Sequence, residues 1–313
     1  FETAAWDWDL YSEKVRTARY AFDESQVKPY FELNHVLVDG AFFAATKLFG
    51  ITFKERTDLP VYRPEVRVFE VFNTDGTTLA LFIFDAYARP SKNGGAWMNE
   101  YESQSSLLGT KPVVGNHLNI PQPPAGEPTL LTFDEVTTLF HEFGHVMHGI
   151  LSRSRFVAQT GFAVPQDFVE APSQMLENWV WDKAVLDTFA ADYRDTTKKI
   201  PAETIAALVA ARQATEGYAT RRQLSLGLLD LALHAVPTDE AARLDVVAVT
   251  NAVLKRVAIA PPPDTAFVAY FGHIAGGYDA GYYGYLWAKV MALDMASEFQ
   301  KAPGGFLDEK VGR

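Results

Sequence analysis

Five consecutive residues have the spacing of a catalytic metal site: His141-Glu142-Phe143-Gly144-His145. On an α-helix the two histidines lie one turn apart on the same face, where both imidazoles can bind one Zn²⁺. Glu142 points slightly aside, as a general base acting on a metal-activated water requires. The pattern indicates metal-assisted hydrolysis. A chance pairing of packed histidines is disfavoured, because the chain has only seven His.

A catalytic zinc needs a third protein ligand and an open fourth position. The chain has no Cys, so this ligand is Asp, Glu or a further His. Turning His148 onto the same metal as His145 would strain a continuous helix, and we expect His148 to pack or to support the ligands. Glu170 and Glu177 are seven apart and share a face, so one can bind metal while the other orients an imidazole. Spacing alone does not assign the two roles.

Local signals place these residues on helices. Thr132 and Glu135 have the spacing of a capping box, so the helix that carries His141 is predicted to start there. Asp167 can cap a downstream helix, although Pro172 indicates a kink or a start closer to the proline.

Most of the remaining chain also has helical periodicity. The predicted helices cover residues 10–21, a segment from Pro29 to Gly50, and about 203–220, 222–236, 241–258 and 282–300. Two β-prone runs within 65–87 flank Asn73-Thr74-Asp75-Gly76, which is typical of a hairpin, and 89–128 is rich in loop residues. The predicted fold is mainly α with a small β-sheet. No linker is evident, so residues 1–313 are predicted to form a single region.

Composition excludes several classes of protein. The 28 Lys+Arg and 39 Asp+Glu give a net charge of 28 − 39 = −11, which argues against a nucleic-acid or anionic-membrane partner. Hydrophobic residues make up 48% and charged residues 21%, as in globular proteins. No apolar run approaches a transmembrane length, and residues 1–8 do not resemble a signal peptide. With the absence of Cys, this predicts a cytoplasmic location.

A second segment with chemical potential is rich in Gly and Tyr and runs from His273 to Tyr285. Gly276 and Gly277 permit close backbone approach to a ligand. Its phenols are donors, and a donor near the metal could stabilise the oxyanion of a peptide intermediate by about 3 kcal/mol. Composition alone equally favours a loop and helix start packed by aromatic rings.

The long strings HEFGHVMHG and DFVEAPSQMLENWVW resemble the zinc metallopeptidases of the thimet oligopeptidase, neurolysin, oligopeptidase A and peptidyl-dipeptidase family. The resemblance extends from Trp6-Asp7-Trp8 to the end of the chain. It implies a mainly α zincin-type catalytic domain with one Zn²⁺ per chain. It also implies that His141, His145 and Glu170 bind the metal while Glu142 is the general base, although Mn²⁺ or Co²⁺ would also suit this donor set.

The same resemblance assigns roles in the Tyr-rich segment and a substrate. His273, Tyr278, Tyr282 and Tyr285 match positions that bind substrate and stabilise the transition state. Gly281 stands where relatives have a larger polar residue. The implied substrates are short peptides, cleaved either internally or two residues from a free C-terminus.

Two loop segments are candidates for substrate subsites: Gly94–Met98 and Lys111–His117. An extended segment there could pair its backbone with a peptide by strand addition, or it could simply cover the motif helix. Arg89 is a weaker candidate for binding a substrate carboxylate.

The resemblance also implies longer relatives, with an N-terminal helical region and further C-terminal residues that this chain is expected to lack. Three alternatives to a complete enzyme follow: a catalytic fragment, a subunit whose channel a second chain completes, or a non-catalytic peptide-binding fragment. A structural zinc site is a further alternative, but such sites normally have four protein ligands. The intact set of motif residues favours an enzyme.

Overall fold

A computed structural model describes residues 5–20, 23–212, 214–262 and 264–312. Packing divides the chain into two compact units. The helical unit consists of the described residues within Phe1–Asp23, Gln166–Glu170 and Ala206–Val290. The sheet unit consists of those within Glu24–Pro165, Ala171–Ile205 and Met291–Arg313.

Helices dominate the described chain, which confirms the mainly α prediction. They are α1 (Trp8–Tyr20), α2 (Phe43–Phe49), α3 (Phe133–Ile150), α4 (Ala171–Leu176), α5 (Lys183–Phe189), α6 (Ala202–Arg212), α7 (Glu216–His234), α8 (Thr238–Ala241), α9 (Val246–Val257), α10 (Gly284–Lys301) and α11 (Glu309–Gly312). A π-helix, His35–Phe42, leads directly into α2. Among the described helices, none combines the length and the apolarity that a membrane span requires.

The strands form a five-stranded sheet and a two-stranded one. They are β1 (Thr52–Glu55), β2 (Arg67–Phe72), β3 (Thr78–Tyr87), β4 (Trp97–Glu102), β5 (Val113–Ile120), β6 (Ala191–Asp192) and β7 (Asp195–Lys199). The predicted hairpin is confirmed, because β2 and β3 pair antiparallel with Phe69 opposite Phe82. Gly76 in its turn has φ +79°, a left-handed conformation that favours glycine.

The sheet is larger than the sequence predicted. Its order is β1-β2-β3-β5-β4, and the predicted loop-rich segment 89–128 contains both β4 and β5, so that prediction was wrong. β5 pairs parallel to β3, and five consecutive residues from Val114 to Leu118 are buried. A strand buried on both faces lacks the alternation that marks a half-exposed strand. β4 pairs antiparallel to β5 and forms one edge of the sheet.

Helix boundaries differ from the prediction at several points. The predicted helix from Pro29 to Gly50 contains a π-helix, His35–Phe42, followed by α2. The break expected near residue 221 lies instead between Arg212 and Glu216, and α9 begins only at Val246, where the Asp245 side chain caps it. The helix stop at Gly50 is confirmed, with φ 71° at that residue. Ala21, the predicted end of the first helix, lies outside the described residues.

An aromatic core fixes α3 against the five-stranded sheet. The rings of Phe42, Phe82 and Phe143 lie 5.8–6.0 Å apart, centroid to centroid, and all three side chains are buried. Burying each such side chain contributes about 1.5–3 kcal/mol. Phe143 lies within the His141–His145 motif, so this packing also orients the motif.

Candidate functional site

The helix α3 that carries the motif begins where the sequence predicted. The Glu135 amide donates to Oγ1 of Thr132 at 3.1 Å, and the Thr132 amide donates to Oε2 of Glu135 at 2.7 Å. This reciprocal pair is a capping box, which satisfies two backbone donors at the helix start. His141, Glu142 and His145 therefore lie in the middle of a continuous helix of 18 residues.

The two histidines of the motif face the same side of α3. Their ring centroids lie 5.1 Å apart, and the ring planes are nearly perpendicular at 84°. His145 and Glu142 are only 7% and 5% exposed, whereas His141 is half-buried. Low exposure matters for a general base, because a carboxylate shielded from solvent interacts more strongly with nearby charge.

Glu177 holds the imidazole of His141. Nδ1 of His141 lies 2.7 Å from Oε1 of Glu177, at the start of a 3₁₀-helix, Glu177–Trp181. A carboxylate oxygen in this position accepts from Nδ1, and a neutral imidazole that donates from Nδ1 keeps its lone pair on Nε2. This is the orienting contact that the sequence left open between Glu170 and Glu177.

Glu170 directly precedes α4, and α4 packs closely on α3. A Cβ added to Gly144 would lie 2.6 Å from the Ser173 Cα and 2.7 Å from the Pro172 carbonyl oxygen. The helix starts at Ala171, as the proline indicated. Asp167 instead accepts a 3.0 Å hydrogen bond from the Tyr283 hydroxyl.

Among the described residues, one group of side chains has the donor arrangement for a metal ion: His141, His145 and Glu170. Each offers one ligand atom, and these atoms lie within 4.8 Å of one another. Glu170 is 1% exposed. Two imidazoles and one carboxylate are a donor set that zinc accepts while keeping a fourth position open, so the residues present fit zinc.

His148 is not part of that group. Its ring lies 5.5 Å from the ring of Phe162, and burial lowers its pKa below the ordinary value of 6.5. It also lines a mostly apolar cavity of about 400 Å³ with Met147, Met175 and Leu176. This agrees with the packed role expected from its spacing.

In the helical unit, the Tyr-rich segment gathers around His273. The ring centroids of Tyr278, Tyr282 and Tyr285 lie 5.4, 5.3 and 6.0 Å from that of His273. The Tyr285 hydroxyl lies 3.4 Å from Nε2 of His273. Helix α10 begins at Gly284, so Tyr282 precedes it and Tyr285 lies in its first turn.

The two glycines of this segment have different backbone roles. Gly277 has φ +102°, a conformation that residues with a side chain rarely adopt. At Gly276 a Cβ would lie 2.7 Å from the carbonyl oxygen of Gly272. Both positions therefore require glycine for the turn itself, apart from any approach of a ligand.

Burial sets the protonation of these groups. It raises the pKa of Tyr282 and Tyr285 above the ordinary value of 10.0 and lowers the pKa of His273 below 6.5. At neutral pH both phenols are thus protonated donors and His273 is a neutral imidazole. Protonated phenols can donate hydrogen bonds to negative charge that develops on a bound ligand.

Two buried aspartates escaped the sequence analysis. Asp230 on α7 binds the backbone of the Tyr-rich segment at Ala280 and Tyr282. Asp85 on β3 accepts two 2.8 Å hydrogen bonds from Arg89, so that guanidinium is bound to a carboxylate of its own chain. Both aspartates are 0% exposed. The amides that Asp230 binds lie 50 and 52 residues away in the chain, beyond the reach of any local pattern.

The strand β4 lies at the sheet edge and beside α3. A Cβ on Gly149 of α3 would lie 3.1 Å from Cε of Met98 on β4 and 3.2 Å from Cγ1 of Val114 on β5. Part of Gly94–Met98 therefore belongs to an edge strand next to the motif helix. Strand addition of a peptide and cover for the motif helix both stay predictions for this segment.

Comparison with known proteins decides the family. A family model described as Peptidase family M3 matches residues 1–313. This chain belongs to peptidase family M3. The dipeptidyl carboxypeptidase of Escherichia coli (strain K12) is 44% identical over 296 residues, which cover 94% of this chain and 43% of that protein. Oligopeptidase A of Salmonella typhimurium is 40% identical over 320 residues, covering 100% of this chain and 46% of that protein.

The family assignment confirms the resemblance found in the sequence. A more distant relative, organellar oligopeptidase A of Arabidopsis thaliana, is 38% identical over 312 residues. This M3 chain spans less than half the length of the curated relatives it matches. Membership of the family implies a metal cofactor, and among the described residues His141, His145 and Glu170 form the group that could hold it.

Proposed function

We propose that the whole protein is a zinc-dependent metallopeptidase that hydrolyses short oligopeptides. The observation that carries the proposal is the group of His141, His145 and Glu170. The names of the relatives, dipeptidyl carboxypeptidase and oligopeptidase A, support the substrate class. We further propose a cytoplasmic location, and the Cys-free sequence suits such a reducing compartment.

In this proposal, His141, His145 and Glu170 hold one Zn²⁺. Zinc, when bound there, acts as a Lewis acid on the scissile carbonyl and lowers the pKa of water. Glu142 accepts the proton of the attacking water and passes it to the leaving amine. Glu177 keeps the His141 imidazole in its ligand tautomer.

The Tyr-rich segment would stabilise the transition state. Tyr282 or Tyr285 donates to the oxyanion that forms on the peptide carbonyl, and His273 orients the Tyr285 hydroxyl. Tyr278, Gly276 and Gly277 would line the substrate path. We propose that the peptide backbone pairs with the edge strand β4, which leaves the scissile bond beside α3.

The test uses a decapeptide with a free C-terminal carboxylate and the same peptide as its amide. The zinc-loaded protein is incubated with each, and the products are identified by mass spectrometry, with Glu142→Gln as the control. Release of a dipeptide from the free acid alone means a peptidyl-dipeptidase. Internal cuts in both peptides mean an oligopeptidase.

Two outcomes would contradict the proposal. Equal turnover by Glu142→Gln would remove Glu142 from the mechanism. Bound zinc with neither peptide cut would mean that this chain is a peptide-binding fragment or needs a second chain.

A further inference from the structure

Asp230 is a buried carboxylate whose two oxygens both bind the Tyr-rich segment. Oδ1 accepts a hydrogen bond from the Ala280 amide and Oδ2 accepts one from the Tyr282 amide, both at 3.0 Å. Nδ1 of His234, one turn further along α7, lies 2.9 Å from Oδ1 and 2.9 Å from the backbone carbonyl oxygen of Asp230. Since Asp230 is 0% exposed, these contacts replace its hydration.

The backbone that Asp230 binds is in an unusual conformation. Ala280 has φ +53°, a left-handed value that a residue with a Cβ adopts only when its surroundings impose it. Tyr282, two residues after Ala280, packs with Leu226 and Leu229. Both leucines lie on the face of α7 that carries Asp230. The side chains of α7 therefore fix both the backbone of the turn and the ring that follows it.

The conformation of this turn determines where the tyrosine rings lie. The Tyr282 ring lies 4.9 Å from Tyr285 and 5.3 Å from His273, centroid to centroid. If the amides of Ala280 and Tyr282 were released, the turn could relax and both phenols would move. A displacement of about 1 Å at a reacting centre can lower a rate by roughly 100-fold.

We infer that Asp230 is a positioning residue, which fixes the turn at Ala280 and thereby aims the hydroxyls of Tyr282 and Tyr285 at the oxyanion. The inference rests on the proposed function of these tyrosines. An ionised carboxylate suits the position because it only accepts, and both facing groups are backbone donors. Asn would direct its amide group at one of the two N–H groups.

The first experiment measures steady-state kinetics of Asp230→Asn with the free-acid decapeptide. We expect kcat to fall roughly 10- to 100-fold, KM to stay within about threefold and zinc content to be unchanged. Asp245→Ala is the matched control, since the Asp245 side chain caps α9 in the same unit by accepting from the amides of Val247 and Ala248. It should lower the thermal midpoint and leave kcat unchanged.

Hydrogen exchange provides a readout that does not need turnover. Peptides that cover residues 276–285 should exchange faster in Asp230→Asn, while those from α9 should not. Adding Ala280→Gly should restore part of kcat, because glycine adopts the left-handed turn without strain. If Asp230→Asn does not fold, His234→Gln takes its place and should raise exchange in the same peptides.

An unchanged kcat together with unchanged exchange in 276–285 would overturn the inference. The inference would also be overturned if Asp245→Ala lowered kcat as much as Asp230→Asn does for the same loss of thermal stability. Faster exchange without any wild-type turnover would support the role of Asp230 in the turn and reject the proposed function instead.

Discussion

The phenolic hydroxyl of Tyr278 donates a 2.5 Å hydrogen bond to Oε1 of Glu170, 108 residues away in the chain. Glu170 is the carboxylate proposed as the third zinc ligand. A donor on one oxygen fixes the orientation of the carboxylate and tunes the basicity of the oxygen that binds metal. Tyr278 of the Tyr-rich segment is therefore hydrogen-bonded to one of the proposed metal ligands.

Tyr278→Phe should weaken zinc binding, because it removes the hydroxyl that donates to Glu170. We expect a loss of roughly 10-fold in affinity, measured by competition with a chromogenic chelator. Tyr283→Phe is the matched control, since its hydroxyl donates to Asp167 rather than to Glu170. Equal affinities in wild type and Tyr278→Phe would show that the bond does not affect the ligand.

Glu177→Ala should also weaken zinc binding, by roughly 10- to 100-fold, because His141 loses the group that fixes its tautomer. The control is Asp39→Ala, which removes a contact of the same 2.7 Å length from Nδ1 of His35 on the protein surface. The zinc content of the two variants is measured after dialysis against a weak chelator, and only Glu177→Ala should lose zinc. Retention of zinc by Glu177→Ala would argue against an orienting role.

Gly144→Ala should destabilise the protein and lower its zinc occupancy. The new methyl group would push α4 away at Pro172 and Ser173, and such overpacking costs about 1–3 kcal/mol. Gly149→Ala is the milder substitution on the same helix, since its Cβ would lie 3.1 Å from Cε of Met98 and 3.2 Å from Cγ1 of Val114, with no backbone atom among these contacts. Urea unfolding and metal analysis should show a larger loss for position 144 than for position 149.

Tyr282→Phe should lower kcat by roughly 100-fold with zinc retained, if its hydroxyl stabilises the oxyanion. Burial raises the pKa of Tyr282 above 10.0. At every pH below 10 this phenol therefore stays protonated, and its ionisation should cause no loss of kcat in that range. Burial lowers the pKa of His273 below 6.5, so its protonation affects kcat only at pH values below that. Exposed Tyr270→Phe should behave as wild type across the profile. A normal kcat in Tyr282→Phe would assign the donor role to Tyr285.

Asp85→Asn should destabilise the protein strongly. Burial opposes ionisation of Asp85, but hydrogen bonds from Arg89, Tyr62 and Lys92 hold its pKa well below 3.8. Replacing the carboxylate by an amide removes the negative charge that faces buried Lys92 and leaves it with neutral acceptors such as the carbonyl oxygens of Asp85 and Tyr87, which costs roughly 3–5 kcal/mol. Urea unfolding at neutral pH measures this loss.

The pH dependence follows from the lowered pKa of Asp85. Its contribution to the free energy of unfolding is complete above the ordinary value of 3.8 and is lost as pH falls through the lower folded value. Asp85→Asn should therefore remove part of the acid sensitivity of the wild type. Asp58→Asn is the control, since it breaks an exposed ion pair with Arg56. It should leave the midpoint of urea unfolding unchanged at neutral pH.

Features with local causes were predictable from the sequence. The start of α3 follows from the spacing of Thr132 and Glu135, and the placement of His141 and His145 on one face follows from the helical period. The hairpin follows from Asp75-Gly76 between two β-prone runs. In each case the interacting residues are neighbours in the chain.

Tertiary structure alone decided the features that join distant residues. Glu170 and Glu177 are equivalent by spacing, and packing at Gly144 together with the contact to His141 gives them different surroundings. β5 joined the sheet through parallel pairing with β3, which leaves no alternating pattern because both faces are buried. Asp230 binds amides 50 and 52 residues further along the chain. Such contacts depend on which surfaces meet in the folded chain, and local periodicity carries no information about that.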